Sequence, residues 1–300
     1  MSRRTCLIVN PTAGRGSARA RIHEIRAAFA NRGITELKET RYAGDEEKLA
    51  GEAIRGGVET LVAVGGDGTC ARVAAAILRS GKSCSLAVVP CGTGNDFAKT
   101  LGVSALAPHQ IAELVARDQP ERIDVGRVDD SFFINSCGLG FVASVLEAAQ
   151  SGRFLKGGAV YIYSALAQLF TYRGLTVSVS AGTAAPPQTM LMLTISNGRF
   201  LGGAFRIAPS ASVIDGELDV GFVGDVSLIG RVRIFAGALR GTHLGLPSVK
   251  TRRAKTLALR FTGPPIMEVD GELRRAGSST VTIECLSRAL SVIAAPGYPL

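Results

Sequence analysis

The chain has 300 residues, 46% of them hydrophobic, which is enough for two domains with full cores. It contains no unbroken apolar run long enough to predict a membrane-spanning helix. The net charge of +9 asks for an anionic partner; with only 6% aromatics and scattered cations, nucleic acid is set aside in favour of an anionic membrane surface.

Met1-Ser2-Arg3-Arg4 leads directly into an apolar strand, without the apolar region of a signal peptide, so a cytoplasmic chain is expected. Cysteines at 6, 70, 84, 91, 137 and 285 show no CxxC pairing and read as reduced thiols. The strand Cys6–Val9 ends in Asn10-Pro11-Thr12-Ala13-Gly14-Arg15-Gly16-Ser17, and helices are predicted at 16–32 and 45–56. A second strand, Thr60–Val64, stops at Gly65-Gly66-Asp67-Gly68-Thr69, ahead of a helix at 70–80. A third, Ser85–Pro90, stops at Cys91-Gly92-Thr93-Gly94-Asn95-Asp96, with helices at 96–101 and 107–117. Gly33, Gly56-Gly57 and Gly81 stand where helix ends are expected. Strand, loop and helix in alternation predict a parallel sheet covered on both faces. Its loops would then line up beyond the carboxyl ends of the strands, where open α/β sheets bind ligands.

The chemistry of these loops is that of phosphate binding. Glycines let the backbone approach an anion, and a helix N-terminus offers unpaired N–H donors and the positive end of a dipole. Asp67 is a carboxylate beside that phosphate, the usual partner of Mg2+. Arg15 reads as either a phosphate contact or a solvated cation. Asp96 reads as a brace for its own loop.

Beyond Arg122 the character changes. Short alternating segments at 123–128, 131–137, 175–181, 189–197, 217–223, 256–261, 266–269 and 280–285, separated by Gly, Pro and Asp turns, predict an antiparallel sandwich. Two helices are expected, at 157–172 and 226–240. The first is apolar, with aromatics at 161, 163, 170 and 172, and reads either as lipid-facing or as packed on the sandwich. Arg153 and Lys156 just before it read as contacts for lipid phosphate. The domains are therefore placed at 1–122 and 123–287, with 288–300 returning to pack on the first and the active site in the cleft between them. Asp-Gly-Glu-Leu occurs twice, at 215–218 and 270–273, and reads as two functional turns.

These residues resemble the diacylglycerol kinase catalytic family, in its soluble bacterial lipid-kinase branch. The matching pieces are Asn10-Pro11 with Gly14, the Gly65–Thr69 run, Pro90 with Gly92-Thr93-Gly94-Asn95-Asp96-Phe97-Ala98, Ala208-Pro209 ahead of Asp215-Gly216, and Asp270-Gly271-Glu272. They stand in the family's order over nearly the whole chain. GGDGT alone is shared with NAD kinases and phosphofructokinases. The resemblance implies an α/β nucleotide domain and a β-sandwich lipid domain. It implies an ATP- and Mg2+-dependent kinase that phosphorylates a lipid hydroxyl, on diacylglycerol, a sphingoid base or ceramide, as a peripheral protein at the membrane surface. It places nucleotide contacts at Asn10, Thr40, Gly66 to Arg72 and Thr93, with Gly65, Gly92 and Asn95 completing the loops. It makes Glu272 the proton acceptor from the lipid. It makes Asp215, with the main-chain oxygens of Ser212 and Glu217, a second metal loop. A homodimer stays open.

One departure stands out. Where the family has an Asn-Glu pair after GGDGT, this chain has Ala71-Arg72. An arginine in the first turn of a helix opposes the dipole unless an anion is near, so Arg72→Glu is expected to stabilise the empty protein. Two further readings are kept: an NAD-kinase-like enzyme with a soluble acceptor, opposed by GTGNDFA and the apolar 157–172 segment, and a catalytically silent lipid or nucleotide binder.

Overall fold

The computed structural model describes residues 3–151, 167–181, 183–184 and 186–300. The chain divides into two compact units, residues 1–125 with 287–300, and residues 126–286.

The first unit alternates strands β1 (Thr5–Val9), β2 (Glu36–Glu39), β3 (Thr60–Gly65) and β4 (Ser85–Pro90) with helices α1 (Ala13–Ala30, broken near its start by left-handed backbone at Gly14, Arg15 and Gly16), α2 (Asp45–Arg55), α3 (Asp67–Ser80), α4 (Asp96–Thr100) and α5 (Pro108–Arg117). The strands are parallel, in the order β2-β1-β3-β4. β3 and β4 are buried at every residue, as expected of strands covered on both faces. On one face Leu7, Val9, Val62, Val64, Ala87 and Val89 pack against Ile25 and Phe29 of α1 and Ile111 and Val115 of α5. The segment from Ser287 completes this unit: Ser291 and Val292 pair in parallel with Ser85 and Leu86 of β4.

The two ends of this sheet differ in what they offer. Hydrogen bonds continue past the strand ends at the carboxyl edge: Thr40 N–H to Val9 O at 2.9 Å, Asn10 N–H to Val64 O at 3.0 Å, and Cys91 N–H to Gly65 O at 2.8 Å. The first residues of four loops are thereby set side by side.

The second unit is antiparallel. It takes in the later part of β5 (Glu121–Val128), then β6 (Ser131–Phe133), β7 (Ser136–Gly140), β8 (Leu175–Ala181), β9 (Thr183–Ala184), β10 (Gln188–Ser196), β11 (Leu218–Gly224), β12 (Val249–Ala254), β13 (Thr256–Phe261), β14 (Ile266–Val269), β15 (Glu272–Arg275) and the start of β16 (Thr280–Val292). β10 is central, pairing with β7, β8 and β11. Its core includes Cys137, Leu139, Leu193, Ile195, Leu259 and Ile283. Helices α6 (Phe141–Ser151) and α7 (Leu228–Arg240) share a second core with β10, through Phe141, Val145, Met192, Ile234 and Ala238.

The elements depart from the sequence reading in four places. Helix α3 begins at Asp67 itself, not at 70, because Gly66 leaves the strand and the next residue is already helical. The segment 131–137 is two strands, not one. Helix α6 and strands β2, β9, β12 and β15 were not anticipated. The predicted helix at 157–172 lies mostly outside the described residues; residues 167–171 are helical.

Candidate active site

In the first unit the loop residues meet around an acid, Glu46, that lies in the first turn of α2 and is 1% exposed. Its carboxylate accepts from Asn10 Nδ2 at 3.0 Å, Gly44 N–H at 3.0 Å, Thr69 Oγ1 at 3.4 Å and Arg72 NH1 at 3.2 Å. Asn10 Nδ2 also reaches Thr69 Oγ1 at 3.2 Å, and its Oδ1 accepts from the Thr12 N–H and hydroxyl. Thus Asn10, Thr69 and Arg72 form one network, with Thr40 buried at the end of β2 beside it.

The glycines of the other loops are there for proximity. A β-carbon on Gly92 would lie 2.4 Å from Gly66 Cα, and one on Gly14 would lie 2.1 Å from the Cys91 carbonyl oxygen. Three loop backbones therefore touch where side chains would hold them apart. Asn95 locks its loop by accepting from Gly92 N–H and donating to Gly92 O, both at 2.9 Å, with its own φ at +52°. Arg15, exposed, sits in left-handed backbone between Gly14 and Gly16. Thr93 is exposed in the same loop cluster.

Asp67 opens α3, and its Oδ1 accepts the Phe97 N–H at 2.9 Å. Burial pushes its carboxyl up to about 6, aided by the nearby charge of Asp96 and opposed by N–H donors of Phe97 and Asp96. Asp96 is 5% exposed and pairs with Lys99 Nζ at 3.0 Å. Two neighbouring carboxylates, each at the start of a helix and one of them costly to ionise, are a fit for a divalent cation, which would relieve both the desolvation and the repulsion.

In the second unit Glu272 follows a two-residue hairpin turn between β14 and β15. Both central residues, Asp270 and Gly271, have positive φ, +46° and +85°, as a type I′ turn requires. Asp270 is buried, and its carboxylate accepts main-chain N–H groups of Ile134 at 2.7 Å, Asn135 at 2.9 Å and Ser136 at 3.0 Å. Its own N–H donates to Ser136 O at 3.0 Å. The turn is thereby tied to the start of β7, and Glu272 beyond it stays one-third exposed, in contact with Arg274 at 3.1 Å. Beside the turn lie buried polar side chains. Ser136 is opposite Ser196 in the ladder, and Asn197 N–H donates to Asn135 O at 2.8 Å. The side-chain oxygens of Asn135, Ser136 and Ser196 have no hydrogen-bond partner among the described residues.

Residues 4–128 match the family described as "Diacylglycerol kinase catalytic domain", and residues 135–294 match the "YegS C-terminal NAD kinase beta sandwich-like domain". The chain belongs to the diacylglycerol kinase catalytic-domain family. It is 32% identical over 236 residues to the "Probable lipid kinase YegS-like" of Pseudomonas putida, covering 78% of this chain and 79% of that one. It is 29% identical over 263 residues to the "Diacylglycerol kinase" of Mycobacterium tuberculosis, covering 85% and 84%. Its fold is that of a diacylglycerol kinase crystal structure from Bacillus anthracis, with a TM-score of 0.75 at 21% identity over 98% of this chain and 97% of that one.

Asp215, expected from the sequence to be a metal ligand, has an Oδ1 that accepts the Glu217 N–H at 3.1 Å and an Oδ2 that faces Arg253 at 3.5 Å. Ser212 Oγ accepts the Ile214 N–H at 3.4 Å. Among the described residues no three His, Cys, Asp or Glu side chains gather into a metal cluster. The oxygen donors suit a hard cation, and Arg253 is the group such a cation would displace from Asp215.

One expectation about Arg72 is corrected. It lies in the second turn of α3, not the first, and its guanidinium meets the buried Glu46. The dipole penalty is replaced by an ion pair. Sequence reasoning missed Glu46, Asp270 and the Asn135–Ser136–Ser196 group. The acidic triplet Asp45-Glu46-Glu47 was visible, but its partners lie 23 to 36 residues away.

Proposed function

We propose that this chain transfers the γ-phosphoryl group of ATP to a hydroxyl of a membrane lipid bearing a glycerol or sphingoid head. ATP phosphates are held by the loops at Asn10, Arg15, Gly65 to Arg72, and Gly92 to Asn95. Their amides and the start of α3 carry partial positive charge toward the phosphates. Asp67, with Asp96 as neighbour, would hold Mg2+, which would supply charge neutralisation. Glu272 takes the proton from the lipid hydroxyl; the oxygen bonds to the γ-phosphorus, the bridging P–O bond breaks, and ADP leaves with that electron pair.

Asn135, Ser136 and Ser196 would receive the polar head, since buried oxygens lacking partners are costly until a ligand supplies donors. The acyl chain would enter along an apolar pocket lined by Phe141, Val142, Met192, Phe205 and Ile234, among others. The observation that carries the reading is the Asp270 clamp. Three amides converge on one carboxylate, and what they hold still is the turn presenting Glu272.

The test is a radiolabelled-ATP assay against diacylglycerol, ceramide, sphingosine and NAD, the lipids in mixed micelles. Labelled lipid product that disappears in Glu272→Gln supports the reading. Labelled NADP alone, or no product at all, sinks it.

A further inference from the structure

Helix α7, LIGRVRIFAGALR, is apolar on both faces, whereas a helix beside water normally has a polar outer face. Its inner face, Ile234, Phe235 and Ala238, lines the apolar cavity. Its outer face carries Leu228, Ile229, Val232 and Leu239, exposed at 43%, 69%, 48% and 43%. These are half of the large hydrophobic side chains exposed among the described residues. At 100° per residue they share one side, with Ala236 between them and Arg233 and Arg240 along one edge. Arg231 binds the neighbouring turn, donating to Leu169 O at 2.9 Å and Tyr172 O at 2.7 Å. That contact ties the turn carrying Phe170, 67% exposed, to α7.

Among the described residues arginines outnumber acids around this patch. Arg173, Arg206, Arg233 and Arg240 are exposed around it, and the helix contains no acid. The acid nearest to the helix in sequence, Asp225, is paired with Arg231 at 3.3 Å. An exposed apolar stripe edged by arginines is unfavourable in water and matched to the boundary of an anionic bilayer, where the side chains enter the acyl region and the guanidinium groups meet phosphates.

We propose that the outer face of α7, with Phe170, is the surface by which this protein docks on anionic lipid bilayers. The proposal rests on the lipid-kinase reading only for its purpose; docking itself needs neither ATP nor an acceptor. It places the helix as the wall between the membrane and the apolar cavity.

Co-sedimentation with vesicles of phosphatidylcholine, with and without phosphatidylglycerol, measures it. Wild type binds the anionic vesicles more tightly. Ile229→Glu with Val232→Glu, both at exposed positions, lowers binding about tenfold or more. Arg233→Ser with Arg240→Ser removes about fivefold per arginine and only on anionic vesicles. Kinase activity on lipid in detergent micelles stays near wild type in both variants, which separates docking from catalysis. The natural chain has no tryptophan, so Ile229→Trp gives a single reporter. Its emission shifts to the blue and is quenched by brominated lipid on vesicle addition. An unshifted reporter overturns the proposal, as does undiminished vesicle binding by the double glutamate variant. So does a wild-type dimer that this variant splits while vesicle binding persists; the face would then belong to a second copy of the chain.

Discussion

Burial makes the ionised form of Asp67 harder to reach than in the unfolded chain, and that has a measurable sign. Its folded value of about 6 lies above the ordinary 3.8, so between those pH values the folded chain holds a proton that the unfolded chain has released. This contribution to stability grows as pH falls below 6 and is lost as pH rises through it. Activity should run the other way. If ionised Asp67 is the metal partner, kcat/KM falls on the acid side with a midpoint near 6, while the limb in kcat lies lower because bound Mg2+·ATP favours the charged form. pH–rate profiles at limiting and saturating Mg2+·ATP check this; superimposable limbs would remove Asp67 from the metal site. Glu272 belongs to the same scale. Glu272→Gln keeps the side chain's size and should lower kcat by about 10²–10⁴-fold with an unchanged melting curve. Activity within a few-fold of wild type would mean another group takes the proton. Arg72→Glu, which sequence alone favours, should destabilise the protein by about 1–3 kcal/mol, because it sets a second carboxylate against the buried Glu46. A melting temperature equal to or above wild type would show that the Arg72–Glu46 pair contributes nothing.

At the scale of elements, loops rather than helices or strands determine what the first unit can bind, and loop spacing depends on missing β-carbons. Gly92→Ala should force the Gly92 and Gly66 backbones apart, since the new Cβ is fixed by its own backbone and meets the main-chain Cα of Gly66. ATP affinity should fall about tenfold or more with little change in lipid-vesicle binding, read by calorimetry with a non-hydrolysable analogue. Wild-type affinity would mean the loops separate at no cost to the cradle. The same elements show what a sequence discloses. The strands ending at Val9, Gly65 and Pro90 were legible because continuous apolar runs met glycine loops, and each strand end fixes its loop. Helix α6 was not, because Phe141 to Ser151 begins directly after β7 at Gly140 without a capping residue. β15 was not, because three of its four residues ELRR are charged and, among the described residues, it pairs only with β14. The Glu46 network and the Asp270 clamp were hidden for another reason. Each is assembled from residues 23 or more positions apart, a separation on which local periodicity is silent.

At the scale of the molecule, the chain leaves the first unit at residue 125 and returns to it at 287. The returning segment is structural, not a tail. Leu290 and Val292 are fully buried and Ile293 nearly so. Ile293 N–H bonds Leu86 O at 2.8 Å, Ala295 N–H bonds Leu101 O at 2.9 Å, and Tyr298 lies against Gly102. Removing that segment uncovers β4, whose burial on both faces assumes a neighbour. Burying three such side chains contributes about 1.5–3 kcal/mol each, which together is comparable to the whole net stability of an ordinary domain. A chain ending at residue 286 should therefore fail to fold its first unit and should not bind ATP. Supplying residues 287–300 as a separate peptide should restore at most a small part, because the loop-closing connection through the second unit is lost. Far-ultraviolet circular dichroism and ATP-analogue titration of the truncated chain measure both effects. Native helix content with undiminished nucleotide affinity would show that the first 125 residues hold their sheet without the return.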